Sequence, residues 1–184
     1  TARPIGRDSL DPDTDLSNVS LPGVDLSGTD LSGSDLSGST LTGATLTDCD
    51  LSDADLSGAT LQEADLTDTT LVGADIVDAD LSEADMTSVT LSKADLSDTD
   101  LSNVTLSEAN LSEVTLSNAD LTEATLSNAD LSEASLPNAD LTDADLSEAD
   151  LSEAVLPSTT LGKSVLEGAN LTEADLHGSD LSGA

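Results

Sequence analysis

Leucine recurs at every fifth residue of this chain, from Leu16 to Leu181. Of those 34 positions 32 are Leu, and the other two are Ile76 and Met86. Two residues before each lies a small side chain, most often Ala, and no insertion breaks the register. A period of five matches neither the 3.6 residues of a helical turn nor the two-residue alternation of a strand. The pattern therefore predicts neither an amphipathic helix nor an ordinary sheet.

The polar positions keep the same period. The residue before the central Leu is Asp in 19 cases and Thr in nine, and the residue after it is Ser or Thr in 25. The next residue is mostly Gly, Asp, Glu or Asn, as in turns. We therefore expect a coil in which one large and one small residue of every five point inward. Such coils stack through backbone hydrogen bonds about 4.8 Å apart and bury their interior only against one another.

Individual repeats carry a specific motif. Residues 54–58 read Ala-Asp-Leu-Ser-Gly, 144–148 read Ala-Asp-Leu-Ser-Glu, and 169–173 read Ala-Asn-Leu-Thr-Glu. They resemble the pentapeptide-repeat family, whose motif is A(D/N)LXX, and the resemblance covers residues 14–184. It implies an all-β fold, a right-handed quadrilateral parallel β-helix in which four repeats make one square coil. The chain should then have about eight to nine coils and a length of about 40 Å.

The first residues of the chain depart from the pattern. Ile5 and Leu10 are five apart, but one residue out of step with Leu16. We therefore predict a linker or cap at residues 1–13 and the β-helix at residues 14–184. The repeats end without the polar cap that terminal repeats normally need. We expect the chain to be part of a larger protein, or to self-associate end to end through its uncapped C-terminal coil.

Charge changes this picture more than the rest of the composition does. The chain has 38 acidic residues against four Lys and Arg, a net charge of −34, and no aromatic residue. Such a composition usually indicates disorder, but the fixed period overrides that interpretation. The acidity excludes ordinary binding to nucleic acid or to an anionic membrane, since both need basic patches. The acidity is compatible with two locations, the extracellular space and the cytoplasm of a halophile.

The unbroken register places residues 20 apart on one face, so acidic side chains form columns. Like charges opposite each other in a ladder are destabilising, by about 1 kcal/mol per pair in water at this spacing. Four cations cannot neutralise them. The candidate site residues are these three columns: Asp15, Asp35, Asp55, Asp75 and Asp95; Asp80, Asp100, Asp120 and Asp140; and Glu113, Glu133, Glu153 and Glu173.

Three explanations of the columns stay open. In the first, the Asp before Leu hydrogen-bonds the turn backbone and salt screens the surplus, as in a halophile, since the Debye length falls to about 3 Å at 1 M. In the second, neighbouring carboxylates hold weakly bound Ca²⁺ at many sites, because one flat column supplies too few of the roughly 6–8 oxygen ligands of a tight site. The third follows from the resemblance, because some pentapeptide-repeat proteins mimic DNA and bind type II topoisomerases.

No catalytic arrangement is visible in the sequence. Cys49, Thr69 and Ser164 fall on small inward positions and are expected to fill the core. His177 has no second His or Cys with which to build a metal cage. Paired carboxylates catalyse from different environments inside a cleft, and a convex rod with repeated columns offers none. We therefore expect no enzyme and no confident metal site.

The function expected from these features is non-catalytic. The leading hypothesis is a structural spacer, scaffold or protein-interaction module, tolerant of high salt or cations, whose partner is another protein or flanking domains of the same chain. The alternative is a DNA mimic that inhibits or protects gyrase. Against it, the helical dimerisation module and the central Phe residues typical of topoisomerase-binding members are absent from this sequence. A second alternative is an extracellular module that binds calcium weakly at many sites.

Overall fold

Residues 10–184, the part of the chain that the computed structural model describes, form a single stack of square coils. Parallel bridges join each residue before a central Leu to its equivalent 20 residues later, from Asp15↔Asp35 to Thr160↔Asp180. Each bridge is one residue long, so this part of the chain contains no longer strand and no α-helix. It follows that no helix among these residues has the length and apolarity to cross a membrane. The fold is the predicted right-handed quadrilateral parallel β-helix.

The bridges divide the surface into four faces. We number each face by the residue that begins its column of bridges: face 1 from Asp15, face 2 from Ser20, face 3 from Asp25 and face 4 from Asp30. In a square coil, face 1 lies opposite face 3 and face 2 lies opposite face 4. The predicted register of 20 residues per coil is thereby confirmed.

The interior consists of the central residues and the small residues that precede them. Every central residue from Leu26 to Leu161 is buried, including Ile76 and Met86. Removing each of these large side chains from water contributes about 1.5–3 kcal/mol. The core-filling prediction is confirmed for three small inward residues, all at most 2% exposed: Cys49, Thr69 and Ser164.

A tight turn follows every central residue. In residues 56–59 the N–H of Ala59 donates to the carbonyl of Leu56 at 3.0 Å, and Gly58 between them has φ of 62°. A positive φ at the second central residue is the mark of a type II turn. Gly adopts it without strain, and Asn or Asp more readily than other residues. The Gly, Asn, Asp and Glu at this point of the motif are therefore turn residues.

The N-terminal prediction falls on residues 1–13, of which 1–9 lie outside the described residues. Leu10 packs, partly buried, against the first coils. The N–H of Asp13 donates to the carbonyl of Ser32 at 2.9 Å. The backbone ladder between coils is thus already present at Asp13.

Candidate interaction surface: the acidic columns

The Asp before each Leu completes the hydrogen bonding of its own repeat. In residues 54–58 the N–H groups of Asp55, Leu56 and Gly58 donate to carbonyls of the neighbouring coils. The N–H of Ser57 takes no part in these backbone ladders and donates instead to Oδ1 of Asp55 at 2.9 Å. The Ser57 hydroxyl donates to the same oxygen at 2.6 Å. The carboxylate therefore fixes the turn and is itself held in one orientation.

This bond does not need a negative charge. Asn110 stands in place of Asp, and its Oδ1 accepts from the N–H of Ser112 at 3.0 Å and from the hydroxyl at 2.7 Å. Asn170 accepts from Thr172 in the same way. The structure thus confirms that the residue before Leu binds the turn backbone, as the first explanation requires. It also shows that the prevalence of Asp over Asn adds charge beyond what the turn needs.

The structure brings together the members of each predicted column. Successive parallel bridges link Asp15 to Asp95 on face 1 and Asp80 to Asp140 on face 2, with the predicted Asp residues between them. The predicted Glu residues from 113 to 173 occupy the turns of face 4, next to face 1, all with positive φ. We call these the face 1 column, the face 2 column and the glutamate column.

Few cations compensate the columns. Nζ of Lys93 lies 3.7 Å from Oε1 of Glu113, and Nζ of Lys163 lies 3.3 Å from Oδ2 of Asp143, each across adjacent coils. All four side chains are about half exposed or more. Exposed pairs of this kind contribute about 0–1 kcal/mol. Within the described residues, the lysines therefore cap the ends of acidic stretches without neutralising them.

Neighbouring hydroxyl and N–H donors stabilise the charged form of several carboxylates. At Asp30 the hydroxyl of Ser32 is the largest cause of a pKa below the ordinary value, followed by the Ser32 N–H. The hydroxyl donates at 2.7 Å and the N–H at 3.1 Å. A lowered pKa is also found at Asp15, Asp150 and Asp180. These groups are fully ionised at neutral pH.

Comparison with known protein families identifies the repeat. The family model for pentapeptide repeats matches in eight copies, over residues 13–48, 49–87, 90–128, 119–156 and 149–184. The chain belongs to the pentapeptide-repeat family. Pentapeptide-repeat proteins are generally non-enzymatic structural or interaction modules, and no catalytic family is indicated for this chain.

Several solved pentapeptide-repeat proteins are similar to this chain. HetL, involved in heterocyst differentiation regulation in the cyanobacterium Nostoc sp. strain PCC 7120, is 34% identical over 94% of this chain and 87% of its own, with a TM-score of 0.39. A trypsin-treated form of QnrB1, a plasmid-mediated fluoroquinolone resistance protein, is 21% identical over 89% and 91%, with a TM-score of 0.63. The likeness to QnrB1 shows the fold alone. A comparison with curated proteins found no match.

Metal binding by this pentapeptide-repeat protein stays a prediction. Among residues 10–184, no three His, Cys, Asp or Glu side chains converge where a metal ion could bind. Weak binding of a cation between two stacked carboxylates does not require such a cluster, because neighbouring residues of one column supply both carboxylates.

Face 1 changes from acidic to neutral along the rod. The segments 115–118, 135–138 and 155–158, in three successive coils, carry no charged side chain. Each of the other three faces keeps carboxylates in the same stretch of coils. We call these three segments the neutral window. Its most exposed apolar side chain is Val155, at 43%.

Two of the three coils of the neutral window lack both partners of the Asp–Ser turn bond, while the coil of residues 115–118 keeps Ser117 and has Thr115 in place of Asp. Ser135 and Val155 stand where Asp is usual, and Pro137 and Pro157 stand where a Ser N–H would donate to it. Because Pro has no N–H, loss of the carboxylate leaves no donor unpaired. Pro also suits the first central position of a type II turn, and Asn138 after it has φ of 59°. The two substitutions are therefore compatible with an undistorted coil.

The neutral window was not among the predicted sites, because the predicted columns consist only of positions that carry repeated acids. The signal was present, because every twentieth residue from Asp15 onward is acidic to Asp95 and is then Thr115, Ser135 and Val155. The adjacent Pro residues point to the same stretch.

Proposed function

We propose that this pentapeptide-repeat protein is a non-catalytic acidic scaffold whose carboxylate columns bind basic surfaces of partner proteins. The observation that carries the proposal is the stacking of Asp on Asp through consecutive parallel bridges, from Asp15 to Asp95 and from Asp80 to Asp140. The spacing is about 4.8 Å, the distance between strands. A field of one sign along a rod attracts Lys and Arg side chains and accelerates association.

The columns are preorganised for such binding. At Asp100, Oδ1 accepts the N–H and hydroxyl of Ser102 at 3.0 and 2.7 Å, so the side chain is already ordered in the free protein. The second carboxylate oxygen is available to a cation. Ordering a side chain before binding removes part of the entropy cost of association.

The same geometry suits a spacer between flanking domains. The ladders continue through every coil, from Asp13 to Asp180, without an insertion. A solenoid of this kind holds its ends at a set distance because each coil is bonded to the next. High salt weakens the repulsion between carboxylates along the columns, so this scaffold tolerates high salt.

A salt-dependent binding assay tests the proposal. The probe is a fluorescent nonalysine peptide, titrated with the protein in about 50 mM and about 500 mM NaCl. In the test variant, called the stacked variant, Asn replaces all four Asp of the face 2 column, at positions 80, 100, 120 and 140. Asn preserves the turn bonds. The matched control, called the scattered control, places four Asp→Asn changes outside the three columns and apart from one another, at Asp65, Asp130, Asp145 and Asp175.

We expect binding at low salt, with a greater loss of affinity in the stacked variant than in the scattered control. The net charge of the two variants is equal, so a difference between them reports the order of the columns. Absence of binding at low salt would contradict the proposal. Equal losses would show that total charge, and not stacking, determines affinity.

A type II topoisomerase is the second candidate partner. Duplex DNA carries one charge per about 1.7 Å of axis, and a net 34 charges along a rod of about 40 Å is at least as dense. A gyrase supercoiling assay with micromolar protein, with and without a fluoroquinolone, tests this candidate. If the protein inhibits gyrase or protects it from the drug, and the stacked variant does neither, the result supports a topoisomerase partner. If the protein has no effect with or without the drug, a topoisomerase partner is excluded and the scaffold proposal is unaffected.

A further inference from the structure

Acidic residues border the neutral window at both ends and along both long edges. The face 1 column ends at Asp95, one coil before the window, and Asp175 follows it on the same face. The glutamate column borders one long edge, since Glu133 is only two residues before Ser135. The face 2 column borders the other through Asp120 and Asp140, and in the coil of Val155 this edge carries Thr160 instead. All three predicted columns thus border one uncharged patch, with one stretch of its edge free of carboxylates.

The neutral window is held rigid by two sets of hydrogen bonds. Its coils are joined by the backbone ladder, for example from the N–H of Leu136 to the carbonyl of Val155 at 2.8 Å. Along its turns, Nδ2 of Asn138 donates to Oδ1 of Asn118 at 3.3 Å, and Nδ2 of Asn118 donates to Oδ1 of Asp98 at 3.0 Å. The uncharged surface and its acidic border are therefore ordered as one unit.

We propose that the neutral window is the contact centre for a basic protein partner that presents an apolar spot ringed by Lys and Arg. This inference rests on the proposed function of the acidic columns. Protein interfaces are depleted of charge at the centre and polar at the rim, as this patch is. A carboxylate at the centre would have to be desolvated, which is costly. Val155 and the two Pro rings offer apolar contact without that cost.

Charge and area favour a basic partner over a second copy of this chain. Two copies meeting at the window would bring their acidic borders together and repel. Three coils rise only about 14 Å, so the window alone is far smaller than the ~800 Å² per partner of a stable interface. A stable complex must include the acidic border, and only a cationic surface complements it.

The test compares Val155 with Val165, the equivalent position in the same coil on the opposite face. Both side chains are exposed, at 43% and 47%. The variants are Val155→Asp and Val155→Thr, with Val165→Asp and Val165→Thr as matched controls. Asp and Thr are the two commonest residues at this position of the repeat, and a thermal melt of each variant checks that the fold is kept. The probes are a nonalysine peptide and a nine-residue peptide of Leu and Val at the centre with Lys and Arg on both sides.

If the inference is correct, Val155→Asp weakens binding of the apolar-centred peptide by about tenfold, which is about 1.4 kcal/mol, although it adds an attractive charge. Val155→Thr weakens it in the same direction, and the Val165 variants change it less than twofold. Tighter binding by Val155→Asp, or equal effects at the two positions, overturns the inference.

The two probes separate this inference from the proposed function. If nonalysine does not bind the unaltered protein, the scaffold proposal fails. If nonalysine binds but substitution of Val155 has no specific effect on the apolar-centred peptide, only the window fails. Sedimentation velocity of the protein alone tests whether a second copy of this chain binds the window instead. Self-association that Val155→Asp abolishes and Val165→Asp preserves would assign the window to a second copy and overturn the inference.

Discussion

Hydroxyl groups at the small inward positions have a hydrogen-bond partner in some coils and none in others. Oγ1 of Thr69 donates to the carbonyl of Leu46 at 2.7 Å, and Oγ1 of Thr99 donates to Ile76 at 3.0 Å, each one coil back. Oγ of Ser39 and Oγ1 of Thr29 are buried without a hydrogen-bond partner. A buried donor without a partner costs about 1–3 kcal/mol. The same kind of residue is therefore stabilising or destabilising according to its coil.

Replacing Ser39 by Ala should raise the free energy of unfolding by about 1 kcal/mol, since the change removes an unpaired buried hydroxyl. Thr69→Ala should lower it by a similar amount or more, because the carbonyl of Leu46 then keeps only the N–H of Cys49 as a donor and a buried methyl group is removed. Urea unfolding followed by circular dichroism measures both. A loss of stability in Ser39→Ala would contradict this account.

The pKa of Asp30 should respond to its neighbouring serine. In Ser32→Ala the hydroxyl is lost and the N–H kept, so the pKa rises toward the ordinary value of about 3.9. A folded pKa below the unfolded one contributes stability that is present above the unfolded pKa and lost as pH falls through the folded pKa. Ser32→Ala should therefore destabilise the protein at pH 7 and have less effect near pH 2. Carboxyl-carbon NMR titration gives the pKa, and urea unfolding at both pH values gives the stability.

The control for this prediction is Ser92→Ala. Thr90 stands two residues before Ser92, where Asp30 stands before Ser32, so no carboxylate loses a hydroxyl donor. The stability change in this variant should be the same at both pH values. A matching pH dependence in the two variants would show that the Ser32 hydroxyl does not act through the Asp30 carboxylate.

At the scale of one coil and its neighbours, hydrogen bonding and charge act in opposite directions on the same Asp. The carboxylate of Asp100 binds Ser102 in its own turn but lies between Asp80 and Asp120 in the column. The turn bond stabilises the coil, and the like charges above and below destabilise the stack. Asn110 and Asn170 show that the first contribution is retained without the second.

Asp100→Asn should therefore raise the free energy of unfolding by about 1 kcal/mol at low salt, and the gain should fade near 1 M NaCl. The matched control is Asp145→Asn, because Asp145 makes the same turn bond to Ser147 but has Thr125 and Val165 as its bridged neighbours. Its stability should change little. Chemical unfolding at both salt concentrations measures these effects, and an equal gain in both variants would exclude repulsion along the column as the cause.

At the scale of the whole molecule, a net charge of −34 sits on a rod whose lysines form exposed pairs. The melting temperature should rise by about 5 °C or more from low salt to 2 M NaCl, since screening removes repulsion between charges on the surface. The variant with a neutralised face 2 column should rise less. A melting temperature that does not depend on salt would contradict the repulsion argument.

Calcium is distinguished from general screening in the same melting experiment. Millimolar CaCl₂ is compared with NaCl of matched ionic strength, and specific sharing of ions by stacked carboxylates predicts greater stabilisation by calcium. That stabilisation should be smaller in the stacked Asp→Asn variant than in the scattered control. Equal melting temperatures in the two salts would exclude the calcium hypothesis.

Most of the fold could be predicted from the sequence because the period never breaks. Leu at every fifth residue defines the inward positions, and the repeat implies the four-sided coil. The acidic columns followed from the register alone, and the parallel bridges join the Asp residues of the face 1 and face 2 columns. The role of the columns in binding remains a proposal. What could not be predicted was any property that depends on how side chains are oriented across coils.

The sequence by itself determined the coil, its core and the placement of its acids, because in a solenoid with a constant repeat the distance along the chain sets the position in space. Only the tertiary structure decided which buried hydroxyls find a carbonyl, as Thr69 does and Ser39 does not. It also decided that the Asn side chains bond along the stack, from Asn138 to Asn118 and from Asn118 to Asp98. These features depend on stacking and on side-chain orientation, which place residues distant in sequence next to one another.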